Sequence, residues 1–277
     1  MSGASVGLLF SFWCQMDLII PEYVQKNGPW SISKAGVIAK CSLQYDFKYG
    51  AQKRPEEPRA SSEESRIGVV VHQALEFALD RIPVKQAFQF AIDKGELTTD
   101  ETEKVMSFYE QVARFVTFIE RFKAKHGVKP QNVLIEYKIG MSPEFKNVQF
   151  FDKKGLFRGV LDFAMLTGHG DAVVIDHKSG KQKEMSMYED QCKAYCVLAL
   201  AMRPELKGVQ TAINFVQTDQ LVWNPRVTAE TIRNEYHPWL VKFLTDSCAG
   251  LQKPPEAKEG WWCGWCGYKG SCPNFNK

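Results

Sequence analysis

The chain has no apolar run near the roughly 20 residues that crossing a bilayer takes. Its apolar N-terminal stretch, Val6 to Trp13, has no Lys or Arg before it and breaks at Gln15 and Asp17. That is not the layout of a signal peptide, so the stretch reads as an extension or as a helix packed on the domain. The expectation is a soluble, cytoplasmic protein (host cytoplasm if phage-encoded) that engages no membrane. Charge of one sign is also scarce: 35 Lys and Arg against 32 Asp and Glu leave a formal +3. Such a balance permits a polyanionic partner without announcing one. Repeats and low-complexity tracts are absent. With 44% hydrophobic and 12% aromatic residues in 277, intrinsic disorder is excluded, and the length suits one large domain or two small ones. Cysteine, by contrast, is plentiful. Eight are present, three of them in the last fifteen residues, a distribution unlike that of a small secreted disulfide scaffold and suited to metal ligation in a reducing compartment.

Serines before apolar residues at helical spacing predict a short helix from Lys34 to Cys41. Arg54 to Ser65, rich in Pro, Glu and Ser, reads as a solvated loop. Glu63 to Arg81 reads as a helix burying Ile67, Val71, Leu75 and Ala78. Asp100 with Glu103 resembles a capping box opening one long helix with a stripe of Val105, Phe108, Val112, Phe115, Ile119 and Phe122. Short β-type runs follow at Asn132 to Ile139, Leu156 to Leu166 and Ala172 to Lys178. Ser186 to Met202 returns to helical spacing, Val209 to Val216 and Gln220 to Val227 look like strands, and Thr228 to Cys248 makes a last helix. This order indicates an α/β or α+β fold with a mixed sheet.

The strand ending Ile175-Asp176-His177-Lys178 places Asp176 and Lys178 on one face by its two-residue period. The preceding strand carries Asp162, and the Thr167 to Asp171 turn is short enough to make a hairpin in which the two aspartates converge. Facing carboxylates repel unless a cation neutralises them, and oxygen ligands favour Mg²⁺ or Mn²⁺. Such a metal would polarise a phosphate and activate water while Lys178 orients the nucleophile or meets developing charge. An ordinary strand-end salt bridge among Asp162, Asp176 and Lys178 is the alternative that this spacing alone leaves open. Gly68-x3-His72-x3-Glu76 lies on a helix, where His72 is either a further ligand or simply packed. Gln191-x3-Tyr195 shares a helix face, fit to bind substrate phosphates or to hold the lysine. Glu136, an acid within an apolar strand, either reaches the metal or points to solvent. Cys192 and Cys196 read as packed thiols, Cys14 and Cys248 have no partner pattern, and His126, His169 and His237 have no ligand context. In the tail, Cys263-x2-Cys266-x5-Cys272 lets three thiolates converge, and iron–sulfur cubanes and tetrahedral zinc both ask for a fourth.

The series Gly-x3-His, Gly-x2-Asp (Gly159 to Asp162), Asp-x-Lys and Gln-x3-Tyr resembles the RecB-like branch of the PD-(D/E)xK nucleases over about Arg66 to Met202. The resemblance implies a central mixed sheet flanked by helices, with His72, Asp162 and Asp176 as metal ligands and the His177 carbonyl as a possible further one. It makes Lys178 the catalytic lysine and has Gln191 and Tyr195 assist at the substrate. Members such as the CRISPR-associated adaptation nucleases, exonuclease V and the AddB nuclease domain carry one cysteine before the core and Cys-x2-Cys-x5-Cys after it. By that resemblance Cys41, Cys263, Cys266 and Cys272 hold a [4Fe-4S] cluster, with zinc the alternative; Ser42 stands where the family often has Pro. The implied organisation is an extension (1–29), a helical region with the first cysteine and the histidine motif (30–130), the nuclease core (131–250) and a cysteine segment (251–277). The implied activity is a metal-dependent deoxyribonuclease, an exonuclease acting on single strands or DNA ends in repair, recombination, phage DNA processing or CRISPR adaptation, beside the proteins of such complexes. A non-catalytic DNA-binding or recruitment module of the same fold, and a zinc-stapled interaction protein, are the competing readings.

Overall fold

Hydrogen-bonding needs and hydrophobic periods divide the chain into a helical half and a sheet. A computed structural model describes residues 18–53, 55 and 62–275. The Val6 to Trp13 stretch, Cys14 and most of the loop after Arg54 lie outside the described residues. Helix α1 (Glu22–Lys26) leads to α2 (Ile32–Lys40), whose N-terminus is capped by the Ser31 hydroxyl accepting from the Lys34 amide. Cys41 ends α2 and, through its thiol, accepts from the Gln44 amide to open α3 (Ser42–Tyr45). Helix α4 (Glu63–Leu79) buries the predicted Ile67, Val71, Leu75 and Ala78. Helix α5 (Val84–Gly95) has no counterpart in the sequence-based expectations, because its buried stripe is only Ala87, Phe88 and Ala91.

The single long helix expected after Asp100 is two, α6 (Thr99–Met106) and α7 (Tyr109–Lys125). Its capping box is Thr98 with Glu101, not Asp100 with Glu103. Glu101 also accepts from Arg66 of α4 (Nε to Oε1, 2.8 Å), which ties the start of α6 to α4. The Ser107 hydroxyl donates to the Lys104 carbonyl at 2.7 Å, a local bond that competes with helix continuation. The apolar stripe survives the break: Val105, Phe108, Val112, Phe115 and Ile119 are all buried.

The strands are β1 (Val133–Met141), β2 (Asn147–Val148), β3 (Phe157–Leu166), β4 (Asp171–Lys178), β5 (Gly208–Phe215), β6 (Gln220–Trp223) and β7 (Val227–Thr228). They form a sheet in the order β2-β1-β3-β4-β5-β6, with β7 also on β5. Only β4 and β5 run parallel among these pairs, joined by the crossover helix α8 (Glu189–Met202). The strand expected from Gln220 to Val227 is split: Pro225, lacking an N–H, separates β6 and β7, which pair with different parts of β5. The last helix is likewise divided into α9 (Ala229–Thr231), a π turn at Ile232–Tyr236 and α10 (His237–Cys248). Pro238 cannot donate to an α-helical carbonyl, which accounts for the wider turn ahead of it.

Apolar layers cover both faces of the sheet, α8, α10 and α2 on one side and α4, α5 and α7 on the other. Val133 and Ile135 of β1, with Phe163 and Met165 of β3, pack on the α4 side. Past Glu136 the odd positions change sides: Tyr137, Ile139, Leu161 and Phe157 pack on the α8 side. A regular strand would keep them on one face. The switch falls at Glu136, whose φ is +47°, and at Asp162 opposite it, the pair skipped in an otherwise continuous β1–β3 register.

Candidate active site

Asp162 stands where one ladder stops and another skips a pair. The β3–β4 register ends at Phe163 opposite Ile175, and beyond it Asp162 Oδ2 accepts from the His177 amide at 2.9 Å. A carboxylate thus takes the place of a backbone acceptor and the strands part around it. The α4 helix closes over this opening. A Cβ on Gly68 would lie 2.7 Å from Ser179 Oγ, so a larger residue would force that hydroxyl to turn away. His72 consequently reaches Asp162, Nδ1 to Oδ2 at 3.9 Å. Glu136 comes from β1, and one ligand atom each of His72, Glu136 and Asp162 all lie within 4.8 Å of one another. They line an open cleft of about 550 Å³ with Glu76, Gln73 and Ser179.

Asp176, 2% exposed, lies beside this trio and is held by the neighbouring helix. Its Oδ1 accepts from Tyr195 Oη at 2.7 Å and from Gln191 Nε2 at 2.8 Å. Its Oδ2 is 2.6 Å from Lys178 Nζ yet receives no well-directed hydrogen bond, which leaves a buried lone pair available to a cation. Lys178 also donates to Gln191 Oε1 at 3.3 Å and stands 5.4 Å from the Tyr188 ring centroid, a partner that sequence spacing did not single out. Gln191 and Tyr195 therefore grip the aspartate and the lysine.

Burial first, and then the Asp176 carboxylate, push the Asp162 carboxyl up to about 7. Burial, Glu76 and Asp176 raise Glu136 in the same way. Burial lowers His72, against the pull of Asp176 and a hydrogen bond to the His177 backbone. Carboxyls driven up by burial and by one another mark a site short of positive charge, while burial favours the neutral imidazole that can act as a donor. Three hard or borderline donors with a spare carboxylate lone pair nearby fit a divalent cation such as Mg²⁺ or Mn²⁺. The His177 ring faces elsewhere: wholly buried, it meets Asn214 Nδ2 at 3.1 Å and the edge of Phe115, and burial lowers its pKa to about 3. Its backbone amide binds Asp162, and its ring stands 6.1 Å from that of His72, nearly perpendicular to it.

Far along the chain, Cys41, Cys263, Cys266 and Cys272 line one cavity of about 370 Å³. Burial, and the proximity of the other three thiols, raise the Cys266 pKa. The tail is tied to α3 by the Leu43 amide donating to the Glu256 carbonyl at 3.1 Å and the Glu256 amide donating to Ser42 Oγ at 3.0 Å. Buried Tyr268 adds a ring contact with Phe47 at 5.4 Å. Cys192, Cys196 and Cys248 are buried in apolar layers, as expected of packed thiols.

Oxygen donors, an imidazole and an ion-paired lysine gathered where the strands part form a candidate divalent-metal site. The family follows from the sequence as a whole: residues 29–273 match the PD-(D/E)XK nuclease superfamily, and the chain belongs to it. No curated protein matches it. Among solved structures it is similar to a proposed exonuclease from Eubacterium rectale, at 14% identity and TM-score 0.45, over 88% of this chain and 90% of that one. It is also similar to SSO0001, at 12% identity and TM-score 0.31, over 84% and 94%.

Proposed function

We propose that the chain is a Mg²⁺- or Mn²⁺-dependent deoxyribonuclease of the RecB-like branch, an exonuclease hydrolysing single-stranded DNA or DNA ends. The carrying observation is the convergence of His72, Glu136 and Asp162 within 4.8 Å, beside an Asp176–Lys178 pair gripped by one helix. His72, Glu136 and Asp162 would hold the ion, with Asp176 and the His177 carbonyl at its margin. The ion supplies Lewis acidity and an acidified water. Lys178 brings a fixed positive charge to the phosphate oxygens, and Gln191 and Tyr195 keep Asp176 and Lys178 aligned. Labelled DNA incubated with Mg²⁺, Mn²⁺ or EDTA tests this. Hydrolysis should need the metal and fall about a thousandfold in Asp176→Ala and Lys178→Ala; undiminished cleavage in both variants would remove the assignment.

The four-thiol cavity is read as the seat of a [4Fe-4S] cluster. The reading rests on four thiols lining one cavity, the ligand number that a cubane cluster takes and that tetrahedral zinc takes as well. Iron and acid-labile sulfide on analysis support it; zinc without sulfide refutes it. Work in recombination or CRISPR adaptation complexes is the biological setting that the cysteine arrangement suggests.

A further inference from the structure

We infer that the sheet carries a binding track for a single DNA strand, leading from the acidic centre along β1 and β3 to Arg158, Phe150 and Phe151. It rests on the nuclease reading above and names how that site holds its substrate.

Directions come first. Leu161 and Phe157 pack on the α8 side, and a Cβ on Gly159 would strike Leu198 of α8. Val160 and Arg158 alternate with them and face the other way, the side on which Asp162 meets His72 of α4. Directly across β1 lie Glu136, then Lys138 opposite Val160, then Gly140 opposite Arg158. Lys138 is exposed and close enough to Glu136 to lower its pKa against the dominant effect of burial. A Cβ on Gly140 would come within 2.6 Å of the Gln149 carbonyl, so the segment after β2 folds over this same side. It delivers Phe150 and Phe151.

The far end has the composition of a nucleic-acid platform. The Arg158 guanidinium lies 4.9 Å from the Phe150 ring centroid and 6.0 Å from that of Phe151. Its Nη1 reaches the Phe150 carbonyl at 3.5 Å, fixing the side chain in place. Phe151 is 75% exposed while its ring meets that of Phe150 at 5.0 Å, nearly perpendicular to it. Lys153 and Lys154 are exposed beside it, while the Asp152 carboxylate is turned into its own loop, accepting from the Lys154 amide at 2.8 Å. An exposed ring next to cations is what a splayed base and its phosphate require, stacking for the one and charge for the other. Arg158 lies four residue steps from Asp162 along β3, about 13 Å at about 3.3 Å per step. The strand would thus be gripped a short way from the bond being cut, away from the paired depth of a duplex groove.

The test compares the wild type with Phe151→Ala, Phe151→Trp and Arg158→Ala on two substrates, a single-stranded oligonucleotide and a small chromogenic phosphodiester. Phe151→Ala and Arg158→Ala should raise KM for the oligonucleotide by about five- to a hundredfold, leave kcat nearly unchanged and leave the small substrate untouched. Phe151→Trp should restore binding. Arg158→Ala should also flatten the log–log salt dependence of oligonucleotide binding by about 0.7, an effect that loss of packing would not produce. Unchanged KM and salt slope in an active enzyme would overturn the track and leave the nuclease reading standing. If the wild type cleaves neither substrate with Mg²⁺ or Mn²⁺, the nuclease reading fails. Oligonucleotide anisotropy with the same variants then decides the track alone, weakened binding in Phe151→Ala and Arg158→Ala supporting it and unchanged binding refuting it.

Discussion

Glu136 has a backbone that few glutamates adopt. Its φ of +47° costs on the order of 1 kcal/mol in a non-glycine residue, and its carboxyl is crowded by Glu76 and Asp176 as well as buried. Glu136→Asn, which tolerates the left-handed region and removes the charge, should raise Tm in EDTA by about 2 °C. The same change should weaken Mn²⁺ binding at least about tenfold by calorimetry. An unchanged Tm with unchanged affinity would show that Glu136 neither stores strain nor ligates. Tyr195, by contrast, acts through Asp176. Tyr195→Phe keeps the ring in the α8 layer and deletes one hydrogen bond to Oδ1, so kcat should drop about 10- to 100-fold with the fold intact by circular dichroism.

At the scale of elements, the β1–β2 hairpin leans on α10 through a ring stack, Phe145 against His237 at 3.9 Å between centroids. Burial lowers His237 to about 4 from its ordinary 6.5. Between those values the unfolded chain binds a proton that the folded chain refuses. Stability is therefore complete above pH 6.5 and declines as pH falls toward 4, by about 1 kcal/mol between pH 7 and pH 5.5. His237→Phe keeps the stack and should flatten that part of the denaturant-midpoint profile; an equal slope in the variant would assign the loss to other groups. Strands β1, β3, β4 and β5 and the α4, α7 and α8 stripes were legible in the sequence because apolar side chains recur at the period of the element that buries them. Helix α5 was not, since alanines carry little signal. Nor were the breaks at Ser107 and before Pro238, which arise from local bonds and a missing N–H. Asp162, Asp176 and Lys178 could be placed together because a short turn joins their strands. The position of Glu136 in the trio could not, because regular alternation says nothing of a residue that interrupts it.

Across the whole molecule, the two ends are joined by contacts between residues 214 apart in sequence, Ser42 with Glu256. If the four thiols hold a cluster, the link becomes covalent in strength, and closing so long a loop is worth up to about 5 kcal/mol through the unfolded chain. Cys263→Ser should then lower the denaturant midpoint markedly while leaving residual hydrolysis in proportion to the folded fraction. An unshifted midpoint would mean that the thiols do not staple the fold. Hydrogen exchange gives a second check, with protection falling in α2 and α3 as well as in the tail.

The same union of distant segments sets an order on biosynthesis. The carbonyl and amide of Glu256 that complete the Ser42 and Leu43 contacts, and the Tyr268 ring that meets Phe47, leave the ribosome more than two hundred residues after their partners. Until then α3 and its flank lack the contacts that cover them, and this corner of the fold cannot close.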